Sequence, residues 1–179
     1  PRTVSATENR YRPRVAEVDG RPAVRFDGRD DHVIAPNDAA FRVTEKDAFT
    51  LAAWVWLGET PKGRWRGVVT KSREEAPWYG LWLDPQGRWI IGASGDAVVG
   101  PEGRKGWQHV AAVQDADGRK LYIDGKLAGQ GKAMPGTGPG PMILGGAGGV
   151  EEYLPGALGE VRLYRKALTA DDVQKLAAP

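Results

Sequence analysis

Gly106 to Gln130 reads GWQHVAAVQDADGRKLYIDGKLAGQ, and its turns decide the fold class. Along WQHVAAV, Trp107, His109, Ala111 and Val113 point one way and Gln108, Val110 and Ala112 the other. Both sides are largely apolar, the pattern of a strand covered on both faces. Asp115-Ala116-Asp117-Gly118 is dense in residues that tolerate turn conformations, and Lys120-Leu121-Tyr122-Ile123 resumes an extended run. Asp124-Gly125 suits a two-residue type I′ turn, whose two central positions both need positive φ. Two consecutive hairpins of this chemistry predict an antiparallel β protein.

Working outward, Phe49 to Leu57 (FTLAAWVWL) is the strongest strand signal. Phe49, Leu51, Ala53, Val55 and Leu57 share one face; Thr50, Ala52, Trp54 and Trp56 share the other. Both are substantially apolar, which places the strand inside a sandwich. Further strands are predicted at Arg21–Phe26, Gly67–Lys71, Tyr79–Asp84, Arg88–Ser94, Met142–Leu144 and Val161–Tyr164. The stretch 96–105 is rich in Gly, Pro and charge and reads as a loop. Residues 1–19 read as a polar lead-in or an edge strand, with Pro13 favouring the edge. One helix is predicted, at the C-terminus, where Thr169 and Asp172 form a capping box and Leu168 and Val173 a hydrophobic staple.

These segments carry a resemblance. Phe26-Asp27-Gly28…Asp31-His32-Val33, Phe49-Thr50-Leu51…Ala53-Trp54-Val55, Tyr79-Gly80-Leu81, Trp107…His109-Val110-Ala111 and Glu160-Val161-Arg162-Leu163-Tyr164 follow the family order. Together they resemble the laminin-G-like branch of the concanavalin A-like lectin/glucanase superfamily. The resemblance implies a jelly-roll sandwich of two antiparallel sheets. It also implies calcium at the sheet edge, with Asp31 at the first ligand position and Glu160 at the second. Relatives commonly have Asp-Glu where this chain has Gly159-Glu160, so one ligand of the usual set is missing. Without that resemblance, the Asp27–Asp31 loop reads as a solvated turn or as an oxygen-rich cation site.

At 179 residues the chain fits one domain, with enough length to bury a large core. Twenty-five Gly and 13 Pro suit many short strands joined by tight turns. A formal charge of only +2, from 25 basic and 23 acidic residues, builds no basic face, so nucleic acid is not an expected partner. No apolar run approaches a membrane span. Cysteine is absent, which removes disulfides and thiolate metal sites from consideration. The chain begins at Pro1 and is read as a processed or excised domain of a secreted or surface protein, its targeting segment outside view.

Seven Trp residues are the most unusual feature of the composition. Saccharide sites need flat aromatic faces for the C–H bonds of a sugar ring, with polar groups at the rim. Trp54 and Trp107 occupy positions where the family has core aromatics. Trp56 and Trp82 lie on strands expected to be neighbours, with Trp89 one turn later, and would form an aromatic strip if their faces coincide. Trp65 and Trp78 lie in or beside loops rich in Arg and Lys and are the candidates for exposed rings. For any single Trp, burial is the commoner role.

Enzyme readings find less support. The ExDxxE carboxylate pattern of glucanases of this fold is completed neither by Glu45-Lys46-Asp47 nor by Glu151-Glu152-Tyr153. The Gln-x-His motif of its lyases is not matched by Gln108-His109. His32 and His109 stand in no triad, and the glycines of 145–149 lack the context of a phosphate loop. The expected function is therefore a non-catalytic, carbohydrate-binding module that uses Trp56, Trp65, Trp78 and Trp82. The alternatives are a module that packs against a neighbouring protein domain and, third, a glycoside hydrolase.

Overall fold

The computed structural model describes residues 13–44, 46–93, 96–132, 137–147 and 152–178. Among them are thirteen strands: β1 (Arg14–Val18), β2 (Arg21–Asp27), β3 (Val33–Ala35), β4 (Phe49–Leu57), β5 (Arg66–Lys71), β6 (Tyr79–Leu83), β7 (Arg88–Ala93), β8 (Asp96–Glu102), β9 (Gly106–Asp115), β10 (Gly118–Ile123), β11 (Lys126–Gly131), β12 (Met142–Leu144) and β13 (Pro155–Tyr164). One helix, α1 (Ala170–Leu176), follows. The strands form a seven-stranded sheet, β1-β2-β13-β4-β9-β10-β11, and a six-stranded sheet, β3-β12-β5-β6-β7-β8. Neighbouring strands run antiparallel throughout, the jelly-roll sandwich that the sequence predicts.

The opening stretch folds as read. Asp124 and Gly125 have φ of 49° and 76°, the two positive values of a type I′ turn. Asp19 and Gly20, at 45° and 79°, close the β1–β2 hairpin the same way. That hairpin makes β1 the edge strand and fixes the lead-in from Arg14 onward; Tyr11 lies outside the described residues. The run 96–105 departs from the loop expectation, since Asp96–Glu102 is β8. It is an edge strand paired only with β7, where Pro101 removes no hydrogen bond that an inner neighbour needs.

Alternation divides each strand between two environments. Phe49, Leu51, Ala53, Val55 and Leu57 of β4 meet Tyr79, Leu81 and Leu83 of β6 and Trp89 and Ile91 of β7 between the sheets. Burial of this kind supplies about 25 cal/mol per Å² of apolar surface. The opposite face of β4 carries Trp54 and Trp56 outward; there Trp54 is buried, as expected of a core aromatic, and Trp107 is half-buried against Val18, Ala23 and Ala157. Trp56 pairs in register with Trp107, and Trp54 with His109. Small residues flank them: Ala157 is opposite Trp56 and Gly159 opposite Trp54, leaving room for the indoles. Trp107 donates from Nε1 to the Val18 carbonyl at 2.9 Å and Trp56 to Asp19 Oδ2 at 2.5 Å. The Arg21 guanidinium lies 3.9 Å from the Trp54 ring centroid and closes this face.

Helix α1 is capped as read from the sequence. Thr169 accepts from the Asp172 amide at 3.1 Å, and the Asp172 carboxylate accepts from the Thr169 amide at 3.4 Å. Val173 and Leu168 seat the helix on Ala52, Ala111 and Val113 of the seven-stranded sheet. Thr169→Ala is expected to cost about 1 kcal/mol, read as a lower midpoint in urea unfolding with an unchanged denaturant slope.

Candidate ligand-binding site

The outward face of the six-stranded sheet is built around two glycines. Gly80 of β6 and Gly92 of β7 are paired in register, flanked by Trp82 and Ile90. A Cβ on Gly80 would come within 2.9 Å of the Trp82 ring. One on Gly92 would come within 3.0 Å of Trp78 and 3.1 Å of Trp82. Glycine thus lets both indoles lie close against the sheet. Trp78, just before β6, meets Trp82 edge to face, with centroids 5.1 Å apart and planes at 71°.

Charged side chains lock this pair. Trp82 donates from Nε1 to Glu152 Oε2 at 3.1 Å, and Arg73 donates from Nη2 to Glu152 Oε1 at 3.3 Å. The Arg73 guanidinium lies 5.1 Å from the Trp78 ring centroid, within cation–π range. Trp82, Glu152, Arg73 and Trp78 therefore form a closed circuit in which each member holds the next. Beside it is a cavity of about 260 Å³, lined by Trp65, Trp78, Trp82, Ile90, Asp96 and Glu152, among others. Its floor is apolar and its rim is polar, the composition of a small-molecule site.

Three of the four tryptophans singled out by sequence meet here, in different roles. Trp65 is 42% exposed and Trp78 half-buried, so both offer ring surface. Trp82, 3% exposed, supports Trp78 rather than presenting a face of its own. Trp56 does not join them. It lies on the seven-stranded sheet and borders a separate, wider cleft of about 640 Å³ with Arg25, Glu59, Lys62 and Arg66. Trp89 points between the sheets. The aromatic strip expected from Trp56, Trp82 and Trp89 is therefore absent, because β4 and β6 belong to different sheets and Trp82 and Trp89 face opposite ways. Sequence reading missed Arg73, Asp96, Glu152 and the floor glycines. The glycines left a signal, since Gly80 and Trp82 share the outward alternation of β6.

The acidic loop is a second feature. One carboxylate oxygen from each of Asp27, Asp30 and Asp31 lies within 4.8 Å of the others. Asp27 Oδ1 accepts from the amides of Arg29, Asp30 and Asp31 at 2.9, 3.3 and 3.4 Å, while Asp31 Oδ2 accepts from the Asp27 amide at 3.0 Å. Partial burial and the charges of Asp27 and Asp30 push the Asp31 carboxyl above its usual range. A cation would relieve that repulsion, and the all-oxygen donor set fits calcium. Glu160 lies elsewhere. It sits at the Arg21 end of β2, bridged to Arg21 at 3.7 Å and Arg162 at 2.7 Å. Asp27 and its loop are at the other end of that strand, roughly 20 Å away at about 3.3 Å per residue.

Comparison with known proteins places the chain. The family model of the concanavalin A-like lectin/glucanases superfamily matches residues 27–174, and the chain belongs to that superfamily. No curated protein sequence matches it. Among solved structures, the binding domain of Paraclostridial Mosquitocidal Protein 1 superposes with a TM-score of 0.73 at 13% identity, over 92% of this chain and 45% of that one. Domain 4 of AbnA, a GH43 extracellular arabinanase from Geobacillus stearothermophilus in complex with arabinotriose, gives 0.71 at 23% identity, over 92% and 80%. Trypanosoma rangeli sialidase gives 0.66 at 19%, over 91% and 28%. The chain thus spans less than half of the mosquitocidal binding domain and under a third of the sialidase. At these identities the likeness is one of fold.

Proposed function

We propose that this chain is a non-catalytic saccharide-binding module of a larger secreted or surface protein. The observation that carries the reading is the cavity on the six-stranded sheet, where the rings of Trp65 and Trp78 stand with Trp82 and Glu152. Aromatic faces take the C–H side of a sugar, and carboxylates accept from its hydroxyls. The arabinotriose complex of the arabinanase domain, which shares this fold, supports the same ligand class. At about 260 Å³ the cavity falls just below the ~300–1,000 Å³ of drug-sized ligand sites, a size suited to a short stretch of a polysaccharide lying across the sheet.

A carboxylate in the cavity also invites a hydrolase reading. Glycoside hydrolysis needs a facing pair, one free to protonate the leaving oxygen and the other free to attack or activate water. Among the described lining residues Glu152 is engaged by Arg73 at 3.3 Å, and Asp96 turns its carboxylate to Arg119 of the opposite sheet at 2.6 Å. Such pairing favours acceptor roles over proton donation.

Calcium enters the proposal as a structural ligand of the Asp27-Asp30-Asp31 loop, where it would neutralise three neighbouring carboxylates. Calcium at ten times its dissociation constant is expected to add about 1.4 kcal/mol of stability. The check is a thermal melt with calcium and with chelator, in the native chain and in Asp31→Asn. A chelator-insensitive midpoint removes calcium from the account.

The functional test is a binding screen of the chain against neutral and acidic polysaccharides, including arabinan. Saturable binding is expected to at least one neutral glycan. A blank panel transfers the assignment to a protein-interaction module.

A further inference from the structure

We infer that the wider cleft beside Trp56 is a second binding site, for a carboxylate or sulfate group carried on a sugar ring, with Arg25, Lys62 and Arg66 as its cations. It goes beyond the reading of the cavity on the six-stranded sheet and stands whether or not that cavity binds.

The cleft, of about 640 Å³, falls within the ~300–1,000 Å³ of small-molecule sites. It lies at the rim of the seven-stranded sheet, where β2 and β4 end and β13 begins. Arg25 of β2 pairs with Ala157 of β13, and Ala157 pairs with Trp56 of β4. Residues paired across antiparallel strands share a face, so guanidinium and indole stand on the outer side with only a methyl group between them. The Arg25 guanidinium lies 5.6 Å from the Trp56 ring centroid. Pairing of Asp27 with Pro155 makes the next row toward the rim. The segment 58–66 brings Lys62 and Arg66 to this row, and it separates the two sites: Trp65 lines the cavity, Arg66 the cleft.

Three cations and two carboxylates, Asp27 and Glu59, line the cleft. They differ in how far each is already engaged. Asp27 Oδ1 is taken up by three amides of its own loop, and Glu59 is exposed and keeps its hydration. Arg25 has no carboxylate partner among the described residues; its contact is the Trp56 ring. Arg66 donates from Nη1 to the Tyr153 and Gly28 carbonyls at 2.9 and 3.4 Å, and its buried Nε has no partner among the described residues. No carboxylate among those residues meets its charge. Burial and the neighbouring Arg64 weigh against that charge, and a bound anion would offset both. Lys62 reaches Glu102 at 3.2 Å, but both side chains are more than half exposed, and such a pair holds loosely.

What the cleft has in surplus is therefore donor capacity. A uronate or a sulfate ester supplies the acceptor, and charge-assisted bonds from a guanidinium are the stronger kind. Trp56 gives the C–H side of the same sugar a ring to lie on, a surface that an acidic peptide side chain would leave unused.

The test is calorimetric titration of the full chain with oligogalacturonate, its methyl-esterified neutral form, a sulfated oligosaccharide and oligoglutamate. Chelator is present throughout, so that no cation at the acidic loop contributes, and melting midpoints are recorded for every variant. At least one acidic saccharide is expected to bind saturably, and which one does so tells carboxylate from sulfate. Arg25→Gln is expected to weaken it by about tenfold or more, the scale of a hydrogen bond between charged groups. Lys62→Gln should weaken it less, and added salt should weaken it in the native chain. Arg162→Gln removes a half-exposed cation at the opposite end of β2 and should leave the affinity unchanged. Any binding of the neutral form should be indifferent to Arg25→Gln. An Arg25→Gln affinity within twofold of native, an equal loss in Arg162→Gln, or a blank with both acidic saccharides overturns the inference. Oligoglutamate bound as tightly as the acidic saccharides also overturns it and makes the cleft a site for an acidic protein segment. Where neutral glycans bind and acidic ones do not, the cleft assignment falls and the reading of the cavity survives.

Discussion

Acidification from pH 6.5 to 4 is expected to remove about 3 kcal/mol of folding stability through a single side chain, His109. The imidazole is 2% exposed on the outer face of the seven-stranded sheet, edge-on to Trp54 at 5.4 Å, with its buried Nδ1 lacking a partner among the described residues. Burial pushes its pKa down to about 4; Asp124 and Glu160 work against the shift, and Arg162 and Arg21 reinforce it. Between pH 6.5 and 4 the unfolded chain therefore binds a proton that the folded chain refuses. Stability is complete above the unfolded value near 6.5. It falls by about 1.4 kcal/mol per pH unit as the pH drops and levels off below the folded value. Urea unfolding of the native chain and of His109→Gln across this range checks the point. The native chain should lose stability steeply and the variant much less. Parallel pH profiles would place the acid sensitivity elsewhere.

The second large effect concerns the cavity. Trp78→Ala is expected to weaken saccharide binding by about 2 kcal/mol, roughly 30-fold, the scale of a central aromatic anchor. Trp78 is half-buried, and it is held by Arg73 and by the edge of Trp82. Its removal deletes ring surface and loosens the circuit. Trp65→Ala is the cleaner companion. That ring is 42% exposed, so its loss should reduce affinity while leaving the melting point nearly unchanged. Trp82→Ala is less informative, because truncating a ring 3% exposed also costs about 3–5 kcal/mol of stability. Calorimetric titration paired with a thermal melt separates the two effects.

Local chemistry in the sequence reached the fold because its strongest signals were local. Asp124-Gly125 specifies its own turn, FTLAAWVWL specifies a strand covered on both sides, and Thr169 with Asp172 specifies the helix start. Asp19-Gly20 carries the same turn signal, and of the two readings of the segment before it, lead-in or edge strand, the edge that Pro13 favours is the one that forms from Arg14 onward. Strand β8 was missed because Gly100 and Pro101 argue against a strand in general, while an edge position tolerates them. The site was harder to see. Alternation says that Trp56 and Trp82 each leave the core, but not which sheet each strand joins, since that depends on pairings between residues far apart in the chain. The partners of the tryptophans lay further still from local pattern. Glu152 reaches Trp82 across 70 positions, and Arg119 reaches Asp96 from the other sheet. The metal expectation divided in a similar way. Asp31 sits among carboxylates of its own loop, whereas β2 carries Glu160's arginine partner to the opposite end.

The most direct test of the account is calorimetric titration of neutral glycans into the native chain, Trp65→Ala and Trp78→Ala, with their melting points measured alongside. The account predicts saturable binding by the native chain and a weakening in both variants, with Trp65→Ala as stable as the native chain. Native-like affinity in both variants, or no binding by any of the three across the panel, would contradict it.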